Sequence, residues 1–145
     1  AVARRLLTLV AAILQTGLED LLRRLAQALR THLEKPIQVV IEGSGQLPAE
    51  VHLAFYRLAQ AALGNVIRHA SSSQARARLG LDDKSATLVI SDDGDGFDPA
   101  GVHERRGMGI AIMRERAQAI GADLKIDSAV GRGTTVTLAW ADRTS

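Results

Sequence analysis

Residues 91–101, SDDGDGFDPAG, hold four aspartates and three glycines in eleven positions. They follow directly on the apolar run ATLVI (86–90), so the chain passes from a buried strand into a loop that is acidic and able to turn tightly. Such a loop is either a solvated turn or a place where carboxylates and bare backbone meet a ligand. A carboxylate accepts hydrogen bonds and donates none. It therefore suits a ligand offering an N–H, such as the exocyclic amine of adenine, and disfavours guanine, which offers a carbonyl oxygen there. Asp93 is the residue assigned that part, with Gly94 and Gly96 letting the backbone turn and a flat ring approach. A calcium loop fails: Asp93, Asp95 and Glu104 hold loop positions 1, 3 and 12, but Phe97 and Asp98 stand where an oxygen ligand and a glycine are required.

Outward from this loop the patterning is regular. GMGIAIMRERAQAIGA (107–122) predicts a helix entered through Gly107 and Gly109 and left through Gly121, and DLKIDSA and TTVTLAW predict two strands about the turn VGRG. Upstream, ARARLGL and SATLVISD predict two strands joined at DDKS. Before them, a long helix over about 48–70 carries an apolar stripe of Val51, Phe55, Leu58, Ala62 and Val66. On another side of it lie Arg57, Ala61, Asn65, Arg68 and His69. IQVVIEG (37–43) reads as a strand, and leucines at helical spacing give an amphipathic helix over about 18–34, stopped by Pro36. LLTLVAAIL (6–14), after two arginines, is about half the length that crosses a bilayer and has no cleavage site behind it; it reads as a helix. The chain begins without a methionine and inside a helical pattern, as expected of a piece of a longer protein. The element order predicts an α+β fold, a two-layer sandwich with helices on one face of a mixed, mostly antiparallel sheet.

Composition narrows the function classes. The 145 residues with 46% apolar content are enough for one cored domain. Eighteen Lys and Arg against sixteen Asp and Glu leave a formal charge of +2, which provides no basic field and argues for no nucleic-acid partner. The absence of Cys excludes disulfides and thiolate metal sites and fits a cytoplasmic setting.

Three further constellations could carry chemistry. Gly107 and Gly109 at a helix start would leave free amides for phosphate, or serve as a flexible hinge. Asn65 offers a neutral amide oxygen that can complete a magnesium shell beside the cations Arg68 and His69, or it belongs to a solvated helix face. GRGTT (131–135) could set Thr134 against a ligand or merely turn between strands. His32, His52 and His103 show no partner spacing and are expected at the surface. No Walker A sequence, complete dinucleotide fingerprint or Ser-His-Asp arrangement occurs.

Taken in order, LAFYRLAQAALGNVIRHA, LVISDDGDGFDP and GMGIAIMRERAQAIGADLKIDSAVGRGTTVTL resemble the ATP-binding fold shared by gyrase, the Hsp90 chaperone, MutL and histidine kinases, known as the GHKL or Bergerat fold. Within it they are most similar to the catalytic domain of two-component sensor histidine kinases of the nitrate-sensor type, which partner NarL-like regulators. The resemblance implies bound ATP and Mg2+, with Asp93 on adenine, Gly94 and Gly96 shaping the pocket, Asn65 on the metal, and Arg68 and His69 near the phosphates. It places the phosphate lid at about 98–109 with Gly107 and Gly109, and the family's late Gly-Thr at Gly133 and Thr134. Residues 1–16 correspond to the end of a dimerisation helix or its connection, 17–141 to the ATP-binding domain and 142–145 to a tail.

Two positions depart from the family. Ala61 stands where a glutamate four residues before the asparagine is usual, a carboxylate that in hydrolytic relatives orients or deprotonates water. Gly64 stands where a polar residue is common, at a cost of about 1 kcal/mol inside a helix. The phosphoacceptor helix is absent from this chain. The resemblance thus implies a histidine kinase that presents the γ-phosphate to a histidine on a dimerisation domain of the parent, with a response regulator downstream and a monomeric fragment on its own. Two alternatives remain open: a degenerate nucleotide-binding module without phosphoryl transfer, and a serine kinase of the anti-sigma-factor type.

Overall fold

A computed structural model describes residues 2–30, 37–69, 74–98 and 104–143. The described residues form four helices and five strands in the order α1 (Val2–Gln15), α2 (Leu18–Leu29), β1 (Ile37–Gly43), α3 (Ala49–His69), β2 (Ala75–Leu81), β3 (Ser85–Asp92), α4 (Glu104–Ala119), β4 (Asp123–Ser128) and β5 (Thr134–Ala141). The strands make one sheet in the order β1-β2-β3-β5-β4. β1 pairs with β2 in parallel, as a helical crossover requires, and every other pair is antiparallel.

Alternation along the strands decides which face is covered. In β2, Ala75, Ala77, Leu79 and Leu81 are buried while Arg76 and Arg78 are exposed. The partners in register carry the same pattern: Leu79 faces Leu88, and Leu88 faces Leu138. This apolar face meets α2, α3 and α4, whose buried residues Leu22, Phe55, Leu58, Leu63 and Met113 complete one core. On the opposite face Arg76, Arg78 and Thr87 are exposed and Val89 and Thr137 partly so. The result is the α+β two-layer sandwich with a five-stranded mixed sheet.

The stripe expected on α3 is its buried face, with Val51, Phe55, Leu58, Ala62 and Val66 all in the core. The strand spans 37–43, 75–81 and 85–92 coincide with the observed ones. The hairpin between β2 and β3 is held by Asp82, whose carboxylate accepts from the Lys84 amide at 2.7 Å and the Ser85 hydroxyl at 2.8 Å. At its other end α4 stops in a Schellman arrangement, with Gly121 at φ +66 and amide bonds from Ala122 to the Ala117 carbonyl and from Gly121 to that of Gln118.

Two expectations are corrected. Helix α4 starts at Glu104, before Gly107, because Glu-Arg-Arg are good helix formers and extend it backward. Gly107 and Gly109 therefore lie inside the helix and do not open it. His52 is buried, 8% exposed: its Nε2 bonds the Ile13 carbonyl at the end of α1 at 3.0 Å, which seats the first helix on α3. Its burial follows from its place beside Val51 on the inner face. His32 and His103 lie outside the described residues. Among the described residues no helix is long and apolar enough to cross a membrane.

Candidate functional site

Helices α3 and α4 and the ends of β3, β4 and β5 enclose a cleft. Ala62, Asn65 and Val66 of α3, Ile90 and Asp92 of β3, and Gly96 and Phe97 of the acidic loop line it, together with Met113, Ile126, Thr134 and Val136. It encloses about 30 Å³, and about 490 Å³ with its mouth. The enclosed part has room for a water or two. A flat ring enters only if the walls part, and the unbranched side chain of Met113 and the loop-borne Phe97 are the walls best able to move. Apolar walls with a few convergent polar groups are the composition of a small-molecule site.

The carboxylate that reaches this cleft is that of Asp92. Leu88, Ile90 and Asp92 share the inner face of β3 by the period of two, which turns Asp93 the other way. Asp93 is exposed, accepts from the Gln74 amide through Oδ1 at 3.2 Å, and returns its own N–H to the Gln74 carbonyl at 3.3 Å. It borders a separate hollow with Gln38, Gln74, Arg76 and Ser91. The expectation placing Asp93 in the pocket is corrected in this respect.

The loop is shaped by its own bonds. Gly94 is buried and its N–H donates to Asp92 Oδ1 at 2.8 Å. Gly96 takes φ +65, and a Cβ there would collide with the Ala129 carbonyl; its freedom serves a close approach of two backbone segments as well as the cleft wall. Ser128, which the sequence did not single out, ties the loop down. Its Oγ accepts from the Phe97 amide at 2.8 Å, bonds the Gly133 carbonyl at 3.1 Å and lies 2.8 Å from Thr134 Oγ1. Thr134 thus stands at the cleft and in this knot.

On the helix side, Asn65 is half-buried at the rim. Its Oδ1 accepts from Arg68 Nη2 at 3.5 Å. From above, α4 comes so close that a Cβ on Gly109 would lie 3.0 Å from Asn65 Nδ2. Ala61, one turn earlier, packs against the core and brings no carboxylate. Asn65, Asp92, Gly96 and Thr134 are brought together, whereas Arg68 stays exposed beside them. His69 ends α3, and its side chain lies outside what is described, as do the side chains of residues 104–108 and the whole of residues 99–103, which fall within the segment expected as a lid over about 98–109.

A family model described as histidine kinase-, DNA gyrase B-, and HSP90-like ATPase matches residues 50–144, from α3 through the acidic loop to β5. The chain belongs to this ATPase family. As a histidine-kinase-like ATPase domain it is 40% identical over 106 residues to sensor histidine kinase MctS of Rhizobium johnstonii, covering 70% of this chain and 23% of that protein. It is 38% identical over 109 residues to an uncharacterised sensor-like histidine kinase of Chloroflexus aurantiacus, covering 69% and 18%. With the oxygen sensor histidine kinase NreB of Staphylococcus carnosus it shares 34% over 89 residues, covering 61% and 26%. The chain thus spans between 18% and 26% of the length of these curated relatives.

Solved structures share the fold. The histidine kinase domain of the blue-light-activated kinase from Erythrobacter litoralis superposes with a TM-score of 0.67 at 24% identity, covering 86% of this chain and 64% of that one. The mycobacterial sensor histidine kinase MprB gives 0.64 at 22%, covering 88% and 96%. This ATPase-family domain is homologous to the ATP-binding catalytic domains of sensor histidine kinases.

Proposed function

We propose that the cleft binds ATP and that, within a longer parent, the domain presents the γ-phosphate to a histidine on a dimerisation domain, from which a response regulator is served. The nitrate-sensor type, with a NarL-like regulator, is the subtype this reading favours. The observation that carries the reading is the Asp92 carboxylate at the end of an apolar cleft with Asn65 on its rim. Asp92 Oδ1 already takes the Gly94 amide, which fixes the carboxylate where it can accept from an adenine amine and refuse a guanine carbonyl. Ile90, Met113, Ile126 and Val136 supply the dry walls for the ring. Arg68 and the end of α3 lie where phosphates would emerge, and a guanidinium suits their oxygens.

Magnesium would supply charge neutralisation and hold the phosphates in line. Asn65 Oδ1 is a hard oxygen of the right chemistry. Among the described residues no group of three or more His, Cys, Asp or Glu could hold a metal; Asn65 would offer it one oxygen, with phosphates and water completing the shell. The work left to this chain is positioning and selection of the nucleotide more than proton transfer.

Calorimetric titration with Mg-ATP and Mg-GTP tests the reading. Binding of ATP alone is expected in the wild type and in Asp93→Asn, with loss in Asp92→Asn. Equal binding of GTP, or loss in Asp93→Asn with Asp92→Asn unaffected, sinks the assignment. One observation favours a second reading, a module that binds nucleotide without transferring phosphate: Ala61 in place of a carboxylate.

A further inference from the structure

We propose that the hollow where the end of α1 meets the first turns of α2 and α3 is a second ligand site, which takes a small organic amine in its ammonium form. It shares no lining residue with the cleft and is independent of what the cleft binds. The hollow holds about 330 Å³, and about 800 Å³ with its open mouth, a size within the range of small-molecule sites. Leu18, Leu47 and Leu81 give it an apolar floor, and His52, Glu19 and Thr16 bring polar atoms to it.

His52 carries the inference. It is 8% exposed, the one buried polar side chain among the described residues, and its Nε2 meets the Ile13 carbonyl at 3.0 Å. A carbonyl oxygen only accepts, so Nε2 holds the proton and Nδ1 of the neutral ring presents a lone pair. Nδ1 has no hydrogen-bond partner among the described residues. No fully enclosed side-chain nitrogen or oxygen among them lacks one, so Nδ1 is open to the hollow that the ring lines. The neighbouring groups accept as well. Glu19 is the one acidic side chain on the hollow, and no Lys or Arg lines it. Thr16 donates its hydroxyl proton to the Ala12 carbonyl at 3.0 Å, which leaves its lone pairs free. Helix α1 ends here with no basic residue in its last turn, so the negative end of its dipole is not offset from within the helix. The amides of Gln15 and Gln46 can turn either way and leave that balance unchanged. Such a set of acceptors fits a ligand that donates and is positively charged: an ammonium offers three N–H groups, and a short alkyl chain covers the leucines.

The test is an NMR titration of the isotope-labelled chain with n-butylammonium chloride, beside neutral n-butanol and the anion butyrate at the same concentrations. Saturable shifts are expected with n-butylammonium alone, at the backbone amides around Thr16 and His52 and at the His52 Nδ1 resonance, with a Kd on the order of 1 mM for so small a probe. Glu19→Gln is expected to weaken binding about tenfold, the scale of one charge-assisted hydrogen bond. His52→Leu, checked for folding by circular dichroism, is expected to abolish the shifts; should it fail to fold, the Nδ1 resonance of the wild type and Glu19→Gln still decide. A capped lysine, N-acetyl-lysine methylamide, presents the same ammonium as a protein side chain would. Weaker binding of it than of n-butylammonium supports a free amine, and tighter binding overturns that ligand in favour of a protein segment. Equal shifts with n-butanol or butyrate, an unmoved Nδ1 resonance, or Glu19→Gln binding as tightly as the wild type overturns the site.

Discussion

Gly109 of α4 lies against the side-chain amide of Asn65 so closely that a Cβ on it would stand 3.0 Å from Nδ2 and 3.1 Å from Oδ1. The helix that carries the rim asparagine and the helix that follows the acidic loop therefore meet through a missing side chain. Gly109→Ala adds roughly 1 kcal/mol of helix propensity while pushing the amide aside. Thermal stability is expected to stay near the wild type, and ATP affinity to fall by about tenfold, equivalent to about 1.4 kcal/mol. Unchanged affinity by calorimetry would remove Asn65 from the site.

Ser128 joins the acidic loop to the turn before β5 through Phe97, Gly133 and Thr134. Ser128→Ala leaves the part-buried Phe97 amide without this acceptor, at a cost of about 1–3 kcal/mol. A lower urea midpoint with an unchanged m-value is expected, together with weaker nucleotide binding, because the wall formed by Phe97 loses its anchor.

Ala61 is where the two readings of the site divide. Ala61→Glu restores a carboxylate one turn before Asn65, and general bases in optimised sites contribute about 10²–10⁴-fold. A rise in ATP hydrolysis of roughly 10–100-fold, measured as phosphate release, is expected of an intact cleft lacking one group. No rise with ATP still bound would favour the module that does not transfer phosphate.

Asp82 ties the β2–β3 hairpin to pH. The Lys84 amide first, then the Ser85 hydroxyl, holds its carboxyl below the ordinary value of 3.8. A group whose folded-state pKa is depressed stabilises the fold above its unfolded value, and that contribution disappears as pH falls through the folded one. The stability difference between the wild type and Asp82→Asn is therefore expected to hold from neutral pH down to the ordinary carboxylate range and to shrink below 3.8. A difference that stays constant to lower pH in denaturation midpoints would show that the charge has no part in the turn.

Much of the fold was legible because it is written in local periods. The runs ARARLGL and SATLVISD gave the two strands and the turn between them, and the stripe from Val51 to Val66 gave the inner face of α3. Position in the sheet was not legible: β5 lies between β3 and β4, a pairing of segments some forty residues apart that no window contains. The site shows the same division. Asn65 could be placed from its helix face. Asp92 was passed over for Asp93, although counting by twos from Leu88 and Ile90 leads to Asp92. Ser128 carried no local signal, since its partner Phe97 lies 31 positions away in sequence.

The sheet order also sets a timetable for synthesis. β5 follows the other four strands in sequence and yet is an interior strand, hydrogen-bonded to β3 on one side and β4 on the other. As the chain leaves the ribosome, β1, β2 and β3 can pair in turn, but β3 keeps an open edge and Leu88 and Ile90 lack their neighbours Leu138 and Val136 on that side until residues 134–141 emerge. The cleft wall formed by Thr134 and Val136 arrives at the same moment. Closure of the sheet and completion of the binding cleft are thus one late event in the life of each molecule, and a nascent chain stalled before that point carries an unpaired edge open to other chains.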